Sequence, residues 1–406
     1  MDFTPTKEQT AAQELAARIF GDLSTHDRLT AAGTGTDAEL WKALCAAGLP
    51  GAVEDIGLLG LVLILEEQGR TTAQVPFAAT CVYGLLAVAA HGTDEQRARL
   101  LPGLRDGTSV ATGAFPERGA IRAAAGGGVP ATPGGLRTTD QGGARTTARG
   151  GVRTMAPGQL TGSSPLVPWL RDATHVLLPD ADGALWLVRT ADAEVTEVET
   201  TAPWAAGRLV LSGTPGERLG GPDAYESVLA LARTAFAGLQ AGVCAGSLAR
   251  AVAYTSTREQ FGRPLSTNQG VLLRAADAYM DTESIRVTAY EAAWRQDEGM
   301  DAAAEALTAA WWASEAGKRV VHAGQHLHGG TGADLDHPVH RHFLWGRQLD
   351  SYLGCGPELL AELGQLLAME PASALEPTPV MATAPAMGTA PTMATAPAKE
   401  PSREGR

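Results

Sequence analysis

The spacing of apolar and polar positions changes three times along the chain, and each change predicts a different kind of structure. Up to about residue 108 the pattern is helical and rich in Ala and Leu. LWKALCAAGLPG, residues 40–51, reads as a helix stopped by Gly48 and Pro50. LVLILEEQGRTTAQVP reads as the apolar end of another helix, closed by glycine. GTDEQRARLLPGL opens a short helix at Thr93, with Gln96 three positions on to complete a capping box. From Ser109 to about Gly220 short β-type runs take over: HVLLP, ALWLVRT, the alternating AEVTEVET, and RLVLSG, parted by turns such as Ala181-Asp182-Gly183. From Asp223 the spacing is helical again. Phe236, Leu239 and Val243 follow an i, i+3, i+7 stripe in a pattern about 35 residues and thus about 50 Å long. FGRPL breaks it, and Ser266 with Gln269 forms a second capping box for a helix carrying Leu272, Ala276 and Tyr279 on one face. A third helix is expected over about 302–325 and a fourth over about 343–368; four long antiparallel helices make a bundle.

These elements predict an α+β chain with an N-terminal helical domain (1–108), a central antiparallel β domain (109–220), a C-terminal four-helix bundle (221–368) and a tail (369–406). The tail repeats a MATAP-like unit whose Pro-Ala-Thr composition cannot bury a core, so it is expected to be disordered.

Composition narrows the functional classes. A net charge of −13 argues against nucleic-acid binding, which needs clustered Lys and Arg. It also favours a floppy connection over an RGG-like RNA segment for GGGVPATPGGLRTTDQGGARTTARGG. Cys45, Cys81, Cys244 and Cys355 lie far apart with no CxxC, as expected of reduced thiols in the cytoplasm. The first residues carry no apolar signal region. The longest apolar run, IGLLGLVLIL, is about half a bilayer span and ends in Glu66-Glu67, so no membrane partner is expected.

The candidate chemistry starts from HLHGGTGADLDHPVHRHFLWGRQLDSYLG, residues 326–354, with its five histidines. His326-x-His328 would ligate a metal from a strand, but both flanks are helical, and His337, His340 and His342 follow a proline-marked helix start instead of i, i+4 spacing. No metal is assigned. Gly329-Gly330-x-Gly332 is a turn whose backbone amides suit a phosphate or an adenine edge. A second element, YTSTREQFGRPLSTNQG, supplies Arg258 for a pyrophosphate, Phe261 as a stacking surface and a helix start near Gln269.

Together, R-x-QFG-x-P-L…NQ and the later H-L-HGG-x-G resemble the acyl-CoA dehydrogenase family, and LWKALCAAGLPG, EEQGRTTAQVPF and GTDEQRARLLPGL match its first domain in order and spacing. The resemblance is closest to divergent actinobacterial members acting on bulky CoA thioesters such as steroid side chains. It implies a flavoprotein whose FAD lies at a dimer interface. It assigns Arg258, Gln260, Phe261, Asn268, Gln269, His326, Gly329 and Gly330 to cofactor contact, mainly with a flavin held by the neighbouring subunit, and His326 stands where the family has glutamine. It assigns Arg233 and Tyr352 to the acyl-CoA or acyl-carrier thioester, and it implies an electron-accepting flavoprotein as a further partner.

The centre departs from that pattern. Leu166-Val167-Pro168 replaces the segment whose hydroxyl contacts flavin, something like AFPERGA replaces TEP-x-xGSD, and Trp169 nearby is either a stacking residue or a core aromatic. The two places where family members carry the catalytic carboxylate fall on Leu353 and Ala232, neither of which takes a proton; Asp350, one turn before Leu353, is the displaced candidate. The expected activity is therefore FAD-dependent α,β-dehydrogenation of an acyl thioester by a hetero-oligomer, in which this chain supplies half of the FAD site beside a homologous base-carrying subunit. The alternatives are a non-catalytic homodimer serving as scaffold or thioester binder, and a self-sufficient flavoenzyme using Asp350.

Overall fold

A computed structural model describes residues 3–116, 153–154 and 158–369. The tail expected to be disordered, from residue 370 on, and the whole of the glycine-rich segment 126–151 lie outside the described residues.

The N-terminal region comprises α1 (Lys7–Leu23), α2 (His26–Ala32), α3 (Ala38–Ala46), α4 (Leu49–Thr71), the short α5 (Phe77–Ala79) and α6 (Ala87–His91) joined by a π-helical segment Thr80–Leu86, and α7 (Asp94–Asp106). The Thr93–Gln96 capping box forms as expected, and Thr6 with Gln9 makes another at α1. At LPG the expectation needs correction. Gly48 turns the chain in the left-handed region (φ 74°), and Pro50 sits in the first turn of α4, where its missing N–H is harmless; it starts a helix instead of stopping one. α4 is kinked at Gly57, and the amides of Leu58 and Leu59 donate to the Asp297 carboxylate (2.7 and 2.9 Å).

The strands among the described residues are β1 (Ala111–Gly113), β2 (Arg153–Thr154), β3 (Gln159–Val167), β4 (His175–Pro179), β5 (Leu185–Arg189), β6 (Glu194–Glu197), β7 (Gly207–Pro215), β8 (Glu217–Leu219) and the small hairpin pair β9 (Glu259–Gln260) and β10 (Arg263–Pro264). They form sheets ordered β1-β4-β5-β8, β2-β3-β7-β6 and β10-β9. All pairs are antiparallel except β1 with β4, which run parallel. In β4 and β5 the two faces go separate ways. Val176, Leu178, Trp186 and Val188 face the second sheet, whereas Leu177, Leu185 and Leu187 face the helical core. Burial on both faces explains why HVLLP reads as a continuous apolar run.

The bundle consists of α8 (Ala224–Thr257), α9 (Gln269–Asp297), α10 (Ala303–Leu327) and α11 (Pro338–Tyr352), followed by α12 (Gly356–Met369). The fourth helix thus starts earlier than expected, at Pro338 capped by His337, and breaks at Leu353-Gly354 before α12. α9 is capped by Asn268, whose side chain accepts from the Gly270 amide (2.9 Å), in place of the expected Ser266–Gln269 box; Ser266 lies in a 3₁₀ turn. By length and apolar composition α8 matches a membrane span, but most of it is buried among the other helices. It meets α4 backbone to backbone: a Cβ at Gly242 would lie 2.0 Å from the Glu66 carbonyl oxygen, and one at Gly69 would lie 2.2 Å from that of Leu239. The N-terminal helices and the bundle therefore share one core.

Candidate functional site

Two regions carry the residues that the sequence singles out, and they differ sharply. The first is an outward-facing corner at the end of α8. That helix stops at Thr257 with Arg258 already extended, and the chain then folds into the β9–β10 hairpin. Phe261 and Gly262 form its two-residue loop, both in the left-handed region (φ 54° and 76°), the geometry that matches the twist of a tight hairpin. Glycine adopts it freely; phenylalanine pays roughly 1–2 kcal/mol. The Phe261 ring makes no compensating contact, since it is fully exposed (101%). Arg258 forms no ion pair among the described residues and is exposed.

The glycine turn reaches the same corner. His328, buried just after α10, donates to the Gly324 carbonyl through Nδ1 (2.7 Å) and stacks on Tyr254 with centroids 4.8 Å apart. The carbonyl can only accept, so Nδ1 carries the proton. Tyr254 lies one turn before Arg258, so this stack brings together two motifs about seventy residues apart in the sequence. Sequence reasoning missed Tyr254. His326 is exposed in the last turn of α10, and Gly329 and Gly330 are exposed beside it. Gly329 has a positive φ of 62°, which explains its identity from the backbone. Gly330 has no such constraint, and a Cβ there would meet nothing within 4 Å. Nothing inside the chain requires glycine at 330; a group seated flat against that backbone would. Gln260 and Asn268 make only local bonds, to the Glu259 carbonyl and the Gly270 amide, and Gln269 begins α9 with its side chain exposed. The apolar face of α9 continues from this corner into solvent, with Leu272 and Tyr279 more than half exposed, while Ile285, Ala289 and Ala292 form the buried face. Beside it a groove of about 820 Å³ is lined by Leu273, Met280, Arg274, Arg319, His322 and Arg347.

The second region, where the sequence looks for a base and a thioester, is filled. Leu353 is 6% exposed and Ala232 fully buried. Asp350 is committed elsewhere: Oδ1 accepts from Ser314 Oγ (2.7 Å) and Oδ2 pairs with Arg347 (3.0 Å). Arg233 forks onto both carboxylate oxygens of Glu362 from α12 (3.1 and 2.7 Å), a partner sequence reasoning missed. The Tyr352 hydroxyl bonds that of Tyr83 (2.9 Å), and burial pushes both phenols up. Around this pair the aromatic rings are continuous. Tyr83 stacks on Phe115 (5.1 Å), Tyr352 meets Phe236 (4.8 Å) and Trp204 (6.0 Å), and Trp204 stacks on Trp169 (6.1 Å). Trp169 is thus a core aromatic, buried with φ 59°. The Pro168 carbonyl beside it accepts from Thr112 Oγ1, which ties β1 to the end of β3. The cavity bordered by Arg233, Tyr352 and Leu353 holds about 20 Å³, room for about one water.

Two of the remaining histidines do local work. His337 caps α11 by accepting from the Val339 amide (3.2 Å). His342 lies buried between the Arg70 and Pro338 carbonyls, and burial pulls its pKa down to about 4.

Comparison with known proteins agrees with the fold. Residues 6–108 match the family model described as the acyl-CoA dehydrogenase N-terminal domain, and residues 220–357 match the acyl-CoA dehydrogenase C-terminal domain. The chain is 32% identical to the acyl-CoA dehydrogenase FadE27 of Mycobacterium tuberculosis over 405 residues, covering 92% of this chain and 100% of that protein. Among solved structures it is similar to a Tcur3481–Tcur3483 steroid ACAD variant (39% identity, 89% and 98% of the two chains, TM-score 0.78). It is also similar to the ChsE4–ChsE5 complex of M. tuberculosis (30% identity, 92% and 100%, TM-score 0.79).

Proposed function

This chain belongs to the acyl-CoA dehydrogenase family, oxidoreductases acting on CH–CH bonds, and we propose that it works as one subunit of an FAD-dependent hetero-oligomer whose catalytic base resides in a homologous partner. The observation that carries this reading is the contrast between the two regions. The corner at Arg258 is open and unengaged, while the centre around Tyr83 and Tyr352 is closed by its own side chains.

The corner suits the adenosine-diphosphate half of FAD. Arg258 offers the pyrophosphate a guanidinium that has no ion-pair partner among the described residues, Phe261 a bare ring face, and Gly329-Gly330 a backbone that a flat group can approach. Bound flavin supplies hydride acceptance from the β-carbon of the thioester. Removal of the α-proton needs a positioned carboxylate, and neither Leu353 nor Ala232 is one. Asp350 is ill suited to the task while Ser314 and Arg347 hold its oxygens. The base therefore comes from the other subunit, as does the thioester pocket. Two relatives, a ChsE4–ChsE5 complex and a Tcur3481–Tcur3483 steroid ACAD, are themselves two-protein assemblies, which supports the hetero-oligomer and suggests a bulky apolar acyl group.

The test is to purify the chain alone and together with a base-carrying homologue, and to read FAD absorbance in each. Flavin retained only by the pair is the expected result. A flavin-free homodimer that forms no pair would favour a scaffold, and full flavin loading with turnover by the chain alone would overturn the proposal.

A further inference from the structure

Away from both regions, a cavity of about 360 Å³ opens between α2 and the start of α11. Its polar lining is His26, Thr30, Thr34, His337, His340 and Arg341, its apolar lining includes Leu29 and Leu335, and among the described residues no carboxylate borders it. That is unusual in a chain carrying 45 acidic against 32 basic residues. Asp334 acts on His337 from the preceding turn, and Asp27 and Asp336 adjoin His26 and His337 in the chain, but none of the three belongs to the lining.

The donors here lack anionic partners. Arg341 is half-buried and bonds only neutral acceptors, the Thr72 carbonyl and the Gln74 side chain, so its guanidinium keeps N–H groups to spare. Burial without a counter-ion brings its pKa down to about 10. His337 accepts the Val339 amide at Nδ1, so its proton is on Nε2 and that face can only donate. His340 Nδ1 is buried with no hydrogen-bond partner. Cations and donors partly removed from water, with no acid among them, are incomplete without an acceptor.

We propose that this cavity is an anion site for a phosphoryl group carried on a small molecule, with Arg341 as its counter-ion, His337 and His340 as hydrogen-bonding groups, and Leu29 and Leu335 covering the attached body. The volume exceeds what a bare phosphate fills, so a phosphate ester fits better than the free ion.

The experiment titrates the full-length chain, alone and in any flavin-bearing complex, with inorganic phosphate and separately with adenosine 3′,5′-bisphosphate, by calorimetry and thermal shift. Saturable binding with a rise in melting temperature is expected, at least tenfold weaker in Arg341→Gln. Because Arg341 also ties down Gln74, Thr30→Glu provides a second variant: it places a carboxylate on the exposed rim and gives up only the bond of the Thr30 hydroxyl to the His26 carbonyl (2.9 Å) within the same helix. It should weaken binding at least tenfold with the fold intact. Tighter binding of the bisphosphate, in competition with phosphate, identifies an ester ligand; binding of phosphate alone identifies the free ion, and either supports the site. No saturable binding, or binding that Thr30→Glu leaves unchanged, overturns it. FAD content reports separately on the corner at Arg258, so failure of one assignment does not entail failure of the other.

Discussion

Arg258 and Gly330 put the flavin assignment on single residues. Arg258→Ala removes a charge-assisted contact worth about 1.5–3 kcal/mol, so FAD should dissociate ~10–100-fold more readily from the complex, read as flavin lost on dialysis. Gly330→Ala separates the ligand from the chain. Open space surrounds that Cβ, so melting of the flavin-free protein should not change, while FAD affinity falls. If affinity survives intact, the glycine turn does not touch the cofactor. His342 yields a prediction of the opposite kind, about stability. Its folded pKa of about 4 lies below the ordinary 6.5, so protons favour the unfolded chain. The stabilisation is fully present above pH 6.5 and is lost as the pH falls from 6.5 towards 4, by about 2 kcal/mol at pH 5. Denaturant unfolding at pH 7.5 and 5 should show that loss in the wild type and much less of it in His342→Gln. Local chemistry of this kind was legible where both partners lie within one turn, as in the Thr93–Gln96 box. It misled at Ser266, because Asn268 two residues on takes the cap position and accepts from the Gly270 amide, and sequence does not rank two caps so close together.

The contact of α4 with α8 decides whether the helical regions hold together. Along this seam the chains touch through backbone, and Gly242 leaves no room for even one carbon against the Glu66 carbonyl. An isolated helix would gain about 1 kcal/mol from Gly→Ala. Here overpacking should reverse the sign, and Gly242→Ala should destabilise by about 1–3 kcal/mol, visible as a lower melting temperature. The helical pattern revealed both helices but not this seam, since a glycine reads equally as a helix weakness or as a close approach until the partner is known. The fourth bundle helix shows the same limit. Apolar residues run on through Tyr352-Leu353 and into α12, so periodicity joins what Gly354, at φ 116°, divides.

At the scale of the whole molecule, the outer corner was readable and the centre was not. Arg258, Phe261 and the glycine turn sit in two short motifs, whereas the aromatic fill draws on residues from Tyr83 to Trp345 and Tyr352, which only the fold makes neighbours. The absence of a carboxylate at Leu353 and Ala232 was plain from sequence; that the space itself is closed was not. Alone, this chain should therefore not bleach FAD with saturated acyl-CoA thioesters, a loss that includes the 10²–10⁴-fold a general base typically supplies. With a base-carrying partner, flavin reduction should appear in a single turnover and survive Asp350→Asn. Bleaching by the chain alone, abolished by that substitution, would make Asp350 the base.

The bare face of α9 and the unsupported ring of Phe261 bear on how such a protein can be made. A chain that leaves the ribosome with an open apolar band is exposed to sticking to itself until something covers that band. Surplus copies would then be lost to precipitation while their fold remained sound. Under the two-subunit proposal, matched output of two genes, instead of the stability of either product, would set the yield of working enzyme.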